Sequence, residues 1–236
     1  MTELLFQTDA YVQNFTATVT VQVEGGVVLD RTAFYPGGGG QPNDVGTLAA
    51  GDQTWTVHKM GKAGGDVVHF IHGDLPPVGT TVTGQLDWTR RYQLMRTHTA
   101  MHILCGTIFR DYGAQVTGGN MDPLQGRMDF EFETMRQELV AEIEAAINRE
   151  VAAARPVLVK ILPRAEAFQI PDLIRTKINL LPEGISEVRT LEIVGLDLQA
   201  DGGTHVANTS EVGRLRVTDY KSKGKINKRI YVELDV

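Results

Sequence analysis

The sequence predicts an α+β protein in two parts: an N-terminal small β-barrel domain over residues 1–87, then an α+β domain over residues 88–236. Three observations carry this reading. Short strand-like runs, the first with period-two patterning, recur up to Leu86, the apolar spacing becomes helical after Trp88, and a second helix is followed by further strand-like runs.

Within Phe15–Val23, the odd positions Phe15, Ala17, Val19, Val21 and Val23 are apolar, and Thr16, Thr18, Thr20 and Gln22 alternate with them. That is a strand with one buried face. Glu24-Gly25-Gly26 then turns the chain into Val27–Asp30, a hairpin. Further strand-like runs, Thr54–Lys59, Asp66–Ile71 and Thr80–Leu86, are separated by Gly and Pro, and several short strands at this spacing suggest a small barrel. Between Arg90 and Arg110 the apolar residues Leu94, Met95, Met101, Leu104, Cys105, Ile108 and Phe109 fall at helical spacing. A second helix is expected over Thr134–Ala154, where Met135, Leu139, Ile143, Ile147 and Val151 are four apart. Between the helices, Met128, Phe130 and Phe132 alternate with Asp129, Glu131 and Glu133 as a strand. The tail adds strands at Val188–Val194, Gly213–Thr218 and Ile226–Leu234.

The 236 residues are comfortable for two domains, and 42% hydrophobic with 22% charged residues is ordinary for a globular protein. No stretch approaches the roughly 20 apolar residues of a membrane span. The start, MTELLFQTDAYVQNF, lacks the basic and apolar regions of a signal peptide. A single cysteine, Cys105, excludes an internal disulfide, so a cytoplasmic location is expected. No obligate protein partner is indicated. The net charge of −6 argues against a protein that coats nucleic acid by bulk charge. Residues 221–229, KSKGKINKR, nevertheless carry five basic side chains, Lys221, Lys223, Lys225, Lys228 and Arg229, and no acid. The run reads either as a solvated strand end or as a local grip on a polyanion.

Three segments carry chemistry. His98 and His102 in RTHTAMH stand four apart on one helix face, a spacing that lets two imidazoles reach one metal ion and that packed or exposed histidines also show. The metalloprotease pattern H-E-x-x-H places a general base after the first histidine; here that position is Thr99, so such a mechanism lacks its base. In Gln199-Ala200-Asp201-Gly202-Gly203-Thr204-His205, Asp201 and His205 flank a Gly-Gly turn. Together the two segments offer His98, His102, Asp201 and His205, four ligands of the N/O type that zinc accepts. The third segment, TAFYPGGGGQP over residues 32–42, lets backbone approach a ligand closely, but no Gly-Lys-Ser/Thr follows and it is not a P-loop. It reads equally as a flexible barrel loop.

TAFYPGGGGQPNDVG, RRYQLMRTHTAMHIL and DGGTHV, which occur along the chain in the family's order, resemble the alanyl-tRNA editing proteins, and the resemblance covers nearly the whole chain. These are free-standing relatives of the editing domain of alanyl-tRNA synthetase. The resemblance implies a translation-factor-like barrel followed by an α+β editing domain, one zinc per chain, a cytoplasmic setting and hydrolysis of seryl- or glycyl-tRNA(Ala). Synthetase activity is not implied, since the chain has no room for an ATP-dependent activation domain. The glycine-rich segment then becomes an active-site wall, with Thr32 and Gln41 as candidate polar contacts to the misattached residue, and the five cations of 221–229 become candidate contacts to tRNA. One departure stands out: the family's second ligand pair is Cys-x-x-x-His, and Asp201 occupies the cysteine position here. Cys105, seven residues after His98, is either a substitute ligand or a small buried hydrophobe. Two rival functions remain open at this point, a non-enzymatic tRNA-binding module with a structural zinc and a metal-dependent hydrolase of small esters or amides.

Overall fold

The computed structural model describes residues 1–175 and 184–236. The chain divides into two compact units, Met1–Gln93 and Leu94–Val236.

In the first unit, β1 (Glu3–Leu4) and β4 (Arg31–Thr32) form a short parallel pair. Six longer strands, β2 (Asn14–Val23), β3 (Gly26–Leu29), β5 (Gly46–Ala50), β6 (Gln53–Ala63), β7 (Asp66–Ile71) and β8 (Thr81–Leu86), close a barrel in the order β2-β3-β7-β6-β5-β8. The barrel anticipated from the alternating runs is therefore present. Its core is the inward set Phe15, Ala17, Val19, Val27, Leu29, Phe34, Leu48, Val57, Ile71 and Val82, among others. The expected alternation in β2 fails at its far end, where Val21 is 46% exposed. The cause is a register shift against β3 between Val19 and Val21, a bulge that turns the strand over. Strand β5 escapes sequence reading because in Gly-Thr-Leu-Ala-Ala only Leu48 is fully buried. It pairs on both sides, with β6 and β8, and Gly46 is what permits this: a Cβ there would lie 2.1 Å from the Gln85 carbonyl oxygen.

The glycine-rich segment links β4 to β5. Gly37, Gly38, Gly39 and Gly40 all have positive φ, at 86°, 139°, 59° and 88°, a conformation that side chains with a Cβ rarely adopt. Gly38 and Gln41 exchange both backbone hydrogen bonds at 3.0 Å, and the Tyr35 hydroxyl donates to the Gly38 carbonyl at 3.0 Å. The base of the segment is pinned by a buried ion pair. The Arg91 Nε donates to both oxygens of Asp44 at 3.0 Å, its Nη1 donates to the Ala10 carbonyl, and Asp44 accepts from the Tyr35 backbone N–H at 2.6 Å. Arg91 is fully buried, so losing Asp44 would strand an unpaired charge, a defect that costs about 3–5 kcal/mol.

Helix α1 (Trp88–Tyr112) is two residues longer at each end than its apolar spacing predicts. In the second unit, β9 (Val116–Asp122), β10 (Gln125–Glu131), β14 (Leu215–Ser222) and β15 (Asn227–Leu234) form an antiparallel sheet in the order β14-β15-β10-β9. A second sheet is made of β11 (Val157–Pro163), β12 (Glu187–Ile193) and β13 (Asp197–Ala200), in that order. Helix α2 (Gln137–Ala152) buries Ile143, Ala146, Ile147 and Val151 and is tied to β14 by polar contacts. The Asn148 side chain donates to the Leu215 carbonyl and accepts from its N–H, and Glu144 accepts from Val217 N–H at 2.7 Å. The helix starts at Gln137 rather than Thr134, because Arg136 is extended (φ −128°, ψ 158°). A one-turn helix, α3 (Arg164–Ala167), follows β11. Among the described residues, no helix is long and apolar enough to cross a membrane.

Candidate metal centre

Helix α1 supplies two histidines and the loop after β13 supplies an aspartate and a third. In the 3.6-residue repeat, His98 and His102 project from the same face one turn apart. Strand β13 ends at Ala200, and Asp201 opens a turn in which its Oδ2 accepts from the Gly203 N–H at 2.6 Å. This is the local aspartate turn that the residue type favours. It brings His205 back so that its Nε2 lies 2.9 Å from the same Oδ2. The other carboxylate oxygen, Oδ1, faces His98 Nε2 at 3.5 Å and His102 Nε2 at 3.8 Å. One ligand atom from each of His98, His102, Asp201 and His205 lies within 4.8 Å of all the others. The four residues anticipated as ligands thus stand together. Side-chain exposure is 6% for His98, 10% for His102, 13% for Asp201 and 2% for His205, so the cluster sits just beneath the surface.

The donor set fits a zinc ion: three imidazole nitrogens and one carboxylate, all within 4.8 Å of one another. Burial is the largest influence on each ring. It keeps His98 well below the ordinary histidine range, aided by the neighbouring His205 ring, and it lowers His205 to about 4 against the pull of Asp201. Both shifts favour the neutral ring, the form a metal requires. His102 is different. Burial disfavours its charge, but hydrogen bonds to Asp197 and Asp201 outweigh that and raise it to about 9. Desolvation opposes ionisation of Asp201 as well, yet the surrounding histidines, His98 first, hold its carboxyl well below the usual range.

Several residues around the quartet carry no motif. His102 Nδ1 lies 2.9 Å from Asp197 Oδ2, and His205 Nδ1 lies 3.2 Å from the Thr99 hydroxyl. Arg189 donates to the Asp201 carbonyl at 2.9 Å. A signal for part of this exists in the sequence: Asp197 and Gln199 are two apart in β13 and so share one face, with Asp201 directly after the strand. Cys105 lies outside the quartet. It is buried, its sulfur accepts from Gln199 Nε2 at 3.3 Å, and burial pushes its thiol up to about 12.

Thr32 and Gln41 lie in the first unit and are enclosed, at 0% and 3% exposure. The Thr32 hydroxyl is 2.8 Å from His69 Nε2 and accepts from the Phe34 N–H at 3.1 Å. The basic run forms the tip of the β14–β15 hairpin, and its five cations are not alike. Lys228 is buried, its Nζ donating to the Gly224 and Lys225 carbonyls at 2.9 Å each. Arg229 holds Asp129 through two hydrogen bonds of 2.6 and 2.8 Å. Both have their charged groups engaged within the domain. Lys221, Lys223 and Lys225 are exposed, Lys221 with Asp219 at 3.0 Å.

Residues 5–90 match the family model described as tRNA synthetases class II (A). Residues 188–231 match the threonyl and alanyl tRNA synthetase second additional domain. The chain is 39% identical over 243 residues to the alanyl-tRNA editing protein AlaX-M of Methanosarcina mazei, which covers 99% of this chain and 97% of the relative. It is 40% identical over 238 residues to the protein of that name from Saccharolobus solfataricus, covering 98% of each. This chain belongs to the alanyl-tRNA editing protein family. The likeness to the alanine–tRNA ligase of Pyrobaculum aerophilum is to one part of it: 40% identity over 92% of this chain but 25% of the ligase. The resemblance of the three segments is thus upheld over the whole length of this family member.

Proposed function

We propose that this protein is a trans-editing hydrolase that deacylates tRNA(Ala) carrying serine or glycine, with one zinc held by His98, His102, Asp201 and His205. The observation that carries the reading is the convergence of three imidazoles and a carboxylate within 4.8 Å in a chain of this family. When bound there, zinc supplies Lewis acidity or an orienting contact for the ester carbonyl or the attacking water. The chain's own residues do the rest. His98 and His205, kept neutral by burial, present lone pairs, and Asp201 supplies the anionic ligand.

Selectivity is assigned to the glycine-rich wall, with Thr32 and Gln41 as polar contacts. A site built to hydrogen-bond a hydroxyl rejects the analogue that lacks it far better than an apolar pocket does. Both side chains are enclosed, so contact with an aminoacyl group requires the surrounding loop to yield. Seryl-tRNA(Ala), glycyl-tRNA(Ala) and alanyl-tRNA(Ala), incubated side by side with the protein, should differ, with the seryl ester cleaved much faster than the alanyl ester. Thr32→Val should erode that ratio, while Thr32→Ser should preserve it. Thr32→Val also leaves His69 Nε2 without its neighbour, a buried loss of about 1–3 kcal/mol, so thermal stability is measured alongside. A ratio unchanged in a destabilised variant assigns Thr32 to the fold alone.

Contact with the tRNA backbone is assigned to Lys221, Lys223 and Lys225 on the hairpin tip, with Lys228 and Arg229 shaping it from within. Neutralising the three exposed lysines together should weaken binding and lower the log–log salt slope by roughly 0.7 to 0.9 per lost contact, leaving the chemical step intact. An unchanged slope in a salt titration moves tRNA to another surface.

Four protein donors drawn together are also the pattern of structural zinc. That observation favours a second reading, a tRNA-binding module that leaves charged tRNA intact. The three-ester comparison separates the two, because the module releases no amino acid from any of them.

A further inference from the structure

Asp197 is the first residue of β13, its side chain fully buried against helix α1. Its Oδ2 lies 2.9 Å from His102 Nδ1 and accepts from Gln199 Nε2 at 2.7 Å, and Arg175 Nη1 lies 2.9 Å from its Oδ1. The close approach of strand to helix is permitted by Gly106, one turn beyond His102: a Cβ there would meet the Asp197 Cβ at 3.0 Å and the Leu196 carbonyl oxygen at 3.2 Å. The sequence thus has no side chain at a position where one would crowd Asp197.

We propose that Asp197 is a positioning residue that fixes the orientation and tautomer of His102, so that Nε2 and not Nδ1 is the ligating atom. The proposal rests on the metal reading given above. An ionised carboxylate only accepts hydrogen bonds, so the Nδ1 facing it carries a proton. The remaining lone pair of a neutral His102 is then on Nε2, which faces Asp201 Oδ1 at 3.8 Å, on the side of the other ligands. Thr99 differs in kind. Its hydroxyl, 3.2 Å from His205 Nδ1, both donates and accepts and so tolerates either tautomer of that ring. Of the two, Asp197 alone imposes one. A carboxylate behind a ligating imidazole also makes the ring a stronger donor, and losing such a partner costs about 10–100-fold in metal affinity.

Two measurements on the whole protein test this. Zinc affinity is read by competition with a chromophoric chelator for wild type and Asp197→Asn, the asparagine keeping the shape while losing the charge. In parallel, the ring nitrogens of His102 are assigned by NMR in the zinc-loaded wild type. We expect one tight zinc in wild type, affinity about 10–100-fold weaker in Asp197→Asn, and a His102 bound through Nε2 with its Nδ1 proton retained. Equal zinc affinity in a folded Asp197→Asn, or ligation of wild-type His102 through Nδ1, overturns the proposal. The second readout stands even where the variant does not fold. A wild type that binds no zinc at all overturns the metal reading itself, a result distinct from either of these.

Discussion

His98→Ala and His205→Ala are each expected to lose the bound zinc and to slow seryl-tRNA(Ala) deacylation by about a thousand-fold. Metal polarisation is worth several kcal/mol, and about 1.4 kcal/mol is a tenfold change in rate. The geometry makes the two losses inseparable. Both rings reach the common centre from different elements, helix α1 and the loop after β13, and each contributes one of only four donors. Metal content by elemental analysis and single-turnover deacylation check the pair of outcomes. Each truncation also removes a buried ring that faces the Asp201 carboxylate, so the melting temperature of the zinc-free variants should fall below that of zinc-free wild type, and activity is compared at a temperature where both are folded.

The second large effect concerns Asp201, which stands where relatives in this family were expected to carry cysteine. A carboxylate is a harder and less donating ligand than a thiolate, so Asp201→Cys should bind zinc more tightly and resist chelators better while keeping at least partial activity. Asp201→Ala should leave three histidines that hold the metal weakly. The turn role of Asp201 complicates the alanine variant, because its Oδ2 also accepts from the Gly203 N–H. Asp201→Asn resolves this, since asparagine forms the same local turn without the charge. If the carboxylate is a ligand, the asparagine variant loses more zinc affinity than the roughly 100-fold upper range for partners outside the ligand shell. Wild-type affinity in Asp201→Asn assigns the residue to the turn alone.

Much of this site is local in sequence and for that reason legible. His98 and His102 are spaced by one helical turn, and Asp201 and His205 by one tight turn, so each pair is specified within five residues. Strand β2 is legible in the same way as far as Val19, through alternation on one buried face. What the sequence conceals depends on partners far along the chain. Asp44 and Arg91 are 47 residues apart, and nothing near either announces that they pin the glycine segment. Asp197 meets His102 across 95 residues. Strands β5 and β9 are hidden by glycine, whose presence weakens strand propensity but is required in β5 by the approach of a neighbouring backbone. Lys228 and Arg229 show the converse: a charge run looks uniform until the hairpin turns two of its members inward.

The central claim is that metal held by the quartet is needed to remove the wrong amino acid from tRNA(Ala). The most direct test is a titration of zinc into chelator-stripped protein while seryl-tRNA(Ala) deacylation is followed. The account predicts negligible deacylation before zinc is added, a rise that saturates at one zinc per chain, and alanyl-tRNA(Ala) spared throughout. Full-rate deacylation of seryl-tRNA(Ala) by the stripped protein would contradict it.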